Sequence, residues 1–271
     1  YAKQAKIIHF EIDPSEVDKN VKTDIAVLAD VKESLTAIIP LIDKKSHDSW
    51  HNEFKEKYKI EFDAVINEEL IPTNGKGISM GETIEMINKH SKGDAIMVSD
   101  VGQHQMFACR YAKFNSSKSN VTSGGLGTMG FALPAAIGAK MGQPNREVVA
   151  IIGDGGFQMN IQELGTIFQT QVPVKIVVLN NEFLGMVRQW QELFFDNRYA
   201  STKMINPNFV AIAEGYHIKS KRISQREDLD AAVAEMLASK DSYFLEVMVE
   251  KENNVFPMIP TGASVSDMRL S

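Results

Sequence analysis

Two oxygen-bearing side chains are spaced so that they can share a hard cation. Asp154 sits in the run 153–156 (Gly-Asp-Gly-Gly), and Asn181 closes an Asn180-Asn181 pair about 25 residues later. Asp154 offers a carboxylate oxygen and Asn181 a neutral amide oxygen. Two such ligands, completed to six by a backbone carbonyl and phosphate oxygens, are the usual way Mg2+ is held. Gly153, Gly155 and Gly156 carry no side chain to keep an anion off the backbone, and N–H groups entering a following helix can face a phosphate. The chemistry implied is a diphosphate bridged to the protein by Mg2+. Taken singly, each piece has a plainer reading: the glycine run is a tight turn, and the Asn pair is a strand-ending loop.

What joins the pieces is the chain around them. The apolar run 148–152 (Val-Val-Ala-Ile-Ile) reads as a fully buried strand, and so does 174–179. Between them, residues 158–171 carry Ile161, Leu164 and Phe168 at helical spacing. Strand, helix and strand in about thirty residues make a βαβ unit, whose strands are parallel neighbours with a right-handed crossover. Asp154 and Asn181 then both leave the carboxyl ends of strands of one sheet, where open α/β sheets bind ligands.

Gly-Asp-Gly followed by Asn-Asn resembles the signature of thiamine-diphosphate enzymes. Four further runs sharpen the likeness: 100–106 (Asp-Val-Gly-Gln-His-Gln-Met), 122–130 (Thr-Ser-Gly-Gly-Leu-Gly-Thr-Met-Gly), 133–138 (Leu-Pro-Ala-Ala-Ile-Gly) and 184–191 (Leu-Gly-Met-Val-Arg-Gln-Trp-Gln). In this order, and without large gaps, they are similar to the catalytic subunits of the acetohydroxyacid synthase (acetolactate synthase) family. The resemblance implies a transferase of branched-chain amino-acid biosynthesis. Such an enzyme decarboxylates pyruvate on thiamine diphosphate and condenses the hydroxyethyl unit with a second 2-oxo acid, pyruvate or 2-oxobutyrate. It further implies Mg2+, FAD in the full-length protein, a homodimer or homotetramer, and a possible small regulatory subunit.

Carried onto this sequence, the family's cofactor contacts fall on Val101, Gly102, Gln103, His104, Gly153, Asp154, Gly155 and Gly156. The metal ligands become Asp154, Asn181 and the backbone carbonyl of Phe183, with Leu184, Gly185 and Met186 finishing the diphosphate cradle. A carbonyl near Gly127 accepts the cofactor's 4′-amino group, and Met129 wedges beneath it to hold the bent shape. Met186, Val187 and Trp190 shape the pocket for the second acid. Glu11 and Asp30 fall near the FAD, although Ala29 stands where the family usually has glycine. The family's essential glutamate belongs to a domain that would precede residue 1, so the chain as given is expected to be inactive alone.

Residue chemistry by itself leaves alternatives at several of these positions. Gln103 and His104 follow the expected strand 95–99 and can donate to a phosphate, but a histidine there also serves as a packed structural residue. The glycine-rich run 124–130 precedes a small-residue helix, 131–141, and can pass for a dinucleotide fingerprint. No convincing strand ends at it, however. Met129 can be core filler as well as a polarizable wedge. Met186 and Trp190, four apart, share a helix face toward the site, and an ordinary buried Trp fits that spacing too. Glu11 reads also as a solvated strand end and Asp30 as a helix N-cap.

The fold class expected is α/β: a doubly wound, mostly parallel six-stranded sheet flanked by helices, preceded by part of a second α/β domain. Residues 1–45 would be the last part of a middle, FAD-associated domain, 46–77 a connector, and 78–271 the diphosphate-binding domain. The first part holds strands at 5–12 and 25–29 and a helix at 31–42 with an apolar face of Val31, Leu35, Ile38, Ile39 and Ile42. The connector carries Trp50, Phe54, Tyr58 and Phe62 at steps of four, an aromatic stripe expected to pack on the body. A loop at 72–77 marks the boundary, and Ser79 with Glu82 forms a capping box. Beyond residue 206 come helices at 209–214 and 225–239, strands near 217–218 and at 243–249, and a proline-bearing tail that either closes over the site or frays.

With 271 residues, 44% of them hydrophobic, the chain can bury a full domain and more. A net charge of −6, both signs interspersed, leaves no nucleic-acid footprint. The absence of an apolar run near 18 residues excludes a membrane-spanning helix. A single cysteine, Cys109, fits a reducing cytoplasm and is expected to be buried and inert. An opening without Met, inside an expected strand, reads as a truncated product. Other readings to be separated are a different thiamine-diphosphate carboligase or oxidase, a dehydrogenase using 124–130, and a non-catalytic fragment that holds no cofactor.

Overall fold

Short runs that are apolar at every position are stable only where both faces of a strand are covered. The structure, a computed structural model describing residues 4–71 and 77–271, builds the middle of its main sheet largely from such runs. The chain divides into two compact units, one holding residues up to Lys59 with Ile259–Met268, the other Ile60–Met258 with Arg269–Ser271.

The first unit pairs β1 (Ile8–Glu11) in parallel with β2 (Ile25–Leu28), Ile8 opposite Ile25. α1 (Val31–Ile38) follows. It is shorter than the sequence suggests because Pro40 supplies no N–H, and a 3₁₀ turn, Ile39–Leu41, takes over. α2 (Asp48–Glu61) is continued by a π turn and α3 (Asn67–Leu70). Trp50, Phe54, Tyr58 and Phe62 of the aromatic stripe are exposed, as are Val31, Leu35, Ile39 and Ile42 of the apolar face around α1. The loop expected at 72–77 falls, but for Gly77, outside the described residues.

The second unit runs α4 (Met80–Ser91), β3 (Ile96–Ser99), α5 (Gln103–Tyr111), β4 (Asn120–Thr122), α6 (Ala132–Gly142), β5 (Val148–Gly153), α7 (Asp154–Met159), α8 (Leu164–Thr170), β6 (Lys175–Asn180), α9 (Gly185–Phe194), α10 (Phe209–Gly215), β7 (Lys219–Ile223), α11 (Leu229–Ala238) and β8 (Tyr243–Met248). α4 opens on the full capping box, with Ser79 Oγ accepting from Glu82 N and Glu82 reaching back to Ser79 N. The six strands are all parallel, in the order β4-β3-β5-β6-β8-β7. Alternation along each strand feeds two cores. Val149 and Ile151 of β5 and Val177 of β6 pack with Ile84, Phe107 and Val233, while Ala150, Ile152, Ile176 and Val178 pack with Leu133, Leu164 and Phe209.

Several details correct the sequence reading. A short edge strand, β4, does end just before the glycine-rich run. The helix expected over 158–171 starts earlier, at Asp154, and is interrupted at Asn160. Of its expected apolar face, Phe168 is exposed and Ile167 is buried instead. β7 begins at Lys219, later than expected. Cys109 is exposed, because its α5 neighbours Phe107 and Ala108 take the core-facing side. Among the described residues no helix is long and apolar enough to cross a membrane.

Candidate active site

The strand order creates a crevice. From β3 the chain passes to β4 on one side and then to β5 on the other, so the connections diverge at the carboxyl ends of β3 and β5. Such a switch point is where open α/β sheets receive ligands. Asp100 leaves β3 there, and Asp154 leaves β5.

Asp100 is buried and organises the crevice wall. Its Oδ1 accepts from Val101 N at 2.7 Å and Gly130 N at 2.9 Å, and its Oδ2 accepts from Ala132 N at 3.2 Å. One side chain thus ties the end of β3 to the glycine-rich run and to the start of α6. Burial pushes its carboxyl above the usual range, against the pull of these N–H bonds. Gly156 lets α7 lie against it, since a Cβ there would come within 3.0 Å of the carboxyl.

His104 enters on the first turn of α5, after Gly102 at φ +144°. Its Nε2 is buried without a hydrogen-bond partner among the described residues. Burial pushes the imidazole pKa down to about 3, so the ring is neutral at physiological pH and carries one N–H. A buried polar atom left without a partner costs free energy, and a bound acceptor would recover it.

Asp154 starts α7 and is buried; its Oδ2 accepts from Asn206 Nδ2 at 2.7 Å. Burial raises its pKa to about 6, with the Asn206 bond as the main opposing influence. Asn180 and Asn181 have different surroundings, as successive residues leaving a strand must. Asn180 bonds along the sheet to Glu246 at 2.8 Å. Asn181 accepts from Phe183 N at 3.1 Å and donates to Gln103 Oε1 at 3.4 Å. Gln103 in turn donates to Gln189 Oε1 at 2.9 Å and to the carbonyl of Asn253 at 3.3 Å, which commits both its amide hydrogens.

A cavity of about 470 Å³, open mouth included, gathers most of the expected residues: all of 101–104 and 153–156, with Met129, Asn181, Phe183, Leu184, Gly185, Met186 and Val187. Met80 and Leu179 complete its lining. Gly127 is not part of it; that residue is exposed, at φ +62°. Trp190 is not part of it either. It is 40% exposed and packs 5.0 Å from Phe194, because four residues along a helix carry a side chain a full turn past Met186. Glu11 caps the end of β1, accepting from Ile12 N at 2.8 Å, and Asp30 caps α1, accepting from Lys32 N at 2.8 Å.

Sequence reasoning did not single out Asn206 or Gln189, each of which holds a site residue from far along the chain. Asp100 was visible only as the first letter of a motif.

The donor set fits a metal-bridged diphosphate. The cavity lining includes Asp154 but no Lys or Arg. A divalent cation would offset the repulsion between Asp154 and an anion, and a carboxylate and an amide oxygen lining one cavity are suitable hard-oxygen ligands for it. Two glycines let side chains of the site pack directly on the backbone. A Cβ at Gly155 would meet Leu184 at 2.7 Å, and one at Gly185 would meet Asn181 Nδ2 at 2.8 Å.

Residues 100–247 match the family described as thiamine pyrophosphate enzyme, C-terminal TPP binding domain. The chain is 40% identical over 287 residues to acetolactate synthase 2, chloroplastic, of Zea mays, covering 100% of the chain and 44% of that protein. It is 40% identical over 268 residues to the acetolactate synthase large subunit of Lactococcus lactis, covering 98% and 46%. Against acetolactate synthase isozyme 2 large subunit of Escherichia coli it is 37% identical over 269 residues, covering 99% and 47%. The chain therefore spans less than half the length of these relatives.

Proposed function

The chain belongs to the thiamine pyrophosphate enzymes, and on that premise we propose that it forms the catalytic part of an acetolactate synthase. The whole protein would decarboxylate pyruvate and join the two-carbon unit to a second 2-oxo acid. The observation that carries this reading is one cavity at the switch point of the sheet. It is lined by Asp154, Asn181 and a histidine whose buried Nε2 has no partner among the described residues. The names and identities of the relatives supply the reaction.

In this reading Asp154, Asn181 and the backbone carbonyl of Phe183 hold Mg2+. His104, as the Nε2–H tautomer, donates to a phosphate oxygen. The first N–H groups of α9, which have no partner inside the helix, finish the cradle. Gln103 holds Asn181 in place. Met129, in the cavity lining, would pack against the cofactor, and the family resemblance adds the carbonyl near Gly127, which lies outside the cavity, as a further group that would hold it. When bound, thiamine diphosphate supplies the electron sink for the decarboxylation. Met186 and Val187 at the cavity, with Trp190 one helix turn beyond it, would shape the space for the second acid, a selection by contact worth roughly 1–3 kcal/mol.

The domain organisation we assign is 1–45 as part of an FAD-associated domain, with Glu11 and Asp30 toward the FAD, 46–77 as connector and 78–271 as the diphosphate domain. We assign assembly as a homodimer or homotetramer with a small regulatory subunit; the term "large subunit" in two relatives' names supports a protein of more than one kind of subunit, and no more than that. The cytoplasm is the compartment a lone cysteine favours.

Calorimetry with thiamine diphosphate and Mg2+ on the wild type and Asp154→Ala tests the site, and acetolactate formation from pyruvate by the complete protein tests the reaction. The expected result is cofactor binding that needs Mg2+ and is lost in the variant. Identical heats for the two proteins would remove the metal site, and cofactor binding without acetolactate would remove the substrate assignment.

A further inference from the structure

We propose that Asn206 is a positioning residue for the metal site, turned and held by a polar chain that crosses the sheet from Arg222. This rests on the assignment of Asp154 as a Mg2+ ligand. Asn206 Nδ2 donates to Asp154 Oδ2 at 2.7 Å and to Asn180 Oδ1 at 3.1 Å, while its Oδ1 accepts from Gln158 Nε2 at 2.8 Å. Asn180 Nδ2 donates to Glu246 Oε1 at 2.8 Å, and Glu246 Oε2 accepts from Arg222 Nε at 2.7 Å. The members come from β5's end, the loop before α10, β6, β8 and β7, so the chain runs across four strands.

Its direction is fixed by chemistry from one end. Glu246 is fully buried and paired with Arg222, and an ionised carboxylate only accepts. Asn180 must therefore turn its NH2 toward Glu246 and its oxygen toward Asn206. Asn206 must in turn present its NH2 to that oxygen, and the same NH2 reaches Asp154. Reversing the Asn206 amide would set its oxygen against a carboxylate and a second carbonyl. Asp154 Oδ2 is thus occupied, and among the described residues no other side chain donates to this carboxylate. Backbone N–H groups of Asp154 and Gly155 also bond this carboxylate, and Asn206 adds the side-chain bond that pins one oxygen and sets its rotation.

Outer partners of this kind typically set 10–100-fold in metal affinity. The test titrates this chain with Mn2+ in the presence of thiamine diphosphate, reading free metal by electron paramagnetic resonance, and repeats the titration with Mg2+ reading cofactor binding by calorimetry. Asn206→Ala is expected to raise the half-saturating metal concentration about 10–100-fold, with full cofactor binding recovered at saturating metal. Asn206→Leu, of similar size but uncharged and without N–H donors, is expected to weaken metal to the same degree. A purely architectural role would instead reduce the binding-competent fraction, and saturating metal would not restore it; that result overturns the proposal. So do Asn206 variants that titrate like the wild type while Asp154→Ala loses the metal. If Asp154→Ala also titrates like the wild type, the metal site itself is absent and this inference goes with it.

Discussion

Gly153 and His104 compete for one volume: a Cβ built at Gly153 would lie 2.8 Å from both Cε1 and Nδ1 of the imidazole. The backbone at Gly153 is ordinary, φ −80° and ψ 158°, so alanine meets no conformational strain there. The only obstacle is the ring. Gly153→Ala is therefore expected to fold, to lose about 1–3 kcal/mol by overpacking, and to push His104 off its place above the strand end. Urea unfolding measures the first effect and calorimetry with thiamine diphosphate and Mg2+ the second. Wild-type cofactor affinity in this variant would remove His104 from the proposed phosphate contacts.

The same histidine gives the apo protein an acid-sensitive term. Its folded pKa, about 3, lies below the ordinary 6.5, so between those values the unfolded chain binds the extra proton. The stabilisation from keeping the ring neutral is present above pH 6.5 and is lost as pH falls toward 3. The slope is about 1.4 kcal/mol per pH unit for one proton. His104→Gln is expected to flatten the urea-stability profile by roughly that slope across the window. An unchanged profile would mean the ring is hydrated in solution.

Asp154 works in the opposite sense. Its folded pKa of about 6 lies above the ordinary 3.8, so its favourable contribution is present below pH 3.8 and is lost as pH rises through 6. At pH 7 the buried carboxylate is a cost carried for ligand binding. Asp154→Asn, which keeps the size and an acceptor for Asn206, is expected to stabilise the metal-free protein at pH 7.5 by about 1–3 kcal/mol. The same substitution should abolish the rise in melting temperature expected of the wild type on adding Mg2+ with thiamine diphosphate. Melting curves with and without both ligands check the pair of effects; a destabilised apo variant would contradict the burial argument.

The parts of this fold that could be read from sequence are those whose surroundings are uniform. β5 and β6 are apolar on both faces, so a short run suffices to mark them, and the residues at their ends follow by register. Patterns that need to know what lies opposite were less legible. Trp50, Phe54 and Tyr58 form a helical stripe whatever covers it, and here all three are exposed. The helix after Asp154 breaks at Asn160, whose side chain reaches across to donate to the carbonyl of Gly130 at 2.6 Å. Nothing in the local sequence announces that contact. Asn206 meets Asp154 across 52 residues of chain, and a polar side chain in a loop carries no periodicity to betray it.

Gln189 shows how much can hang on one such side chain. It is wholly buried on α9, and its amide satisfies three groups. Oε1 accepts from Gln103 Nε2 and from Val255 N, each at 2.9 Å, and Nε2 donates to Val255 O at 3.1 Å. To Val255 it acts as a strand partner would, answering both backbone groups, while to Gln103 it fixes the amide that holds Asn181. Gln189→Met keeps the volume but strands all three groups, and each buried group left unmet costs about 1–3 kcal/mol. Partial relaxation of the tail lowers that sum, so the expected loss is about 2–4 kcal/mol in urea unfolding, with faster proteolysis after Glu252. Gln189→Glu separates packing from hydrogen bonding. Protonated, its carboxyl can both accept and donate as the amide does; ionised, it loses the donor and buries a charge. The Glu variant is therefore expected to approach wild-type stability at pH 5 and to fall away at pH 8. Equal stability of the Met variant and the wild type would show that this network contributes nothing to holding the tail or the site.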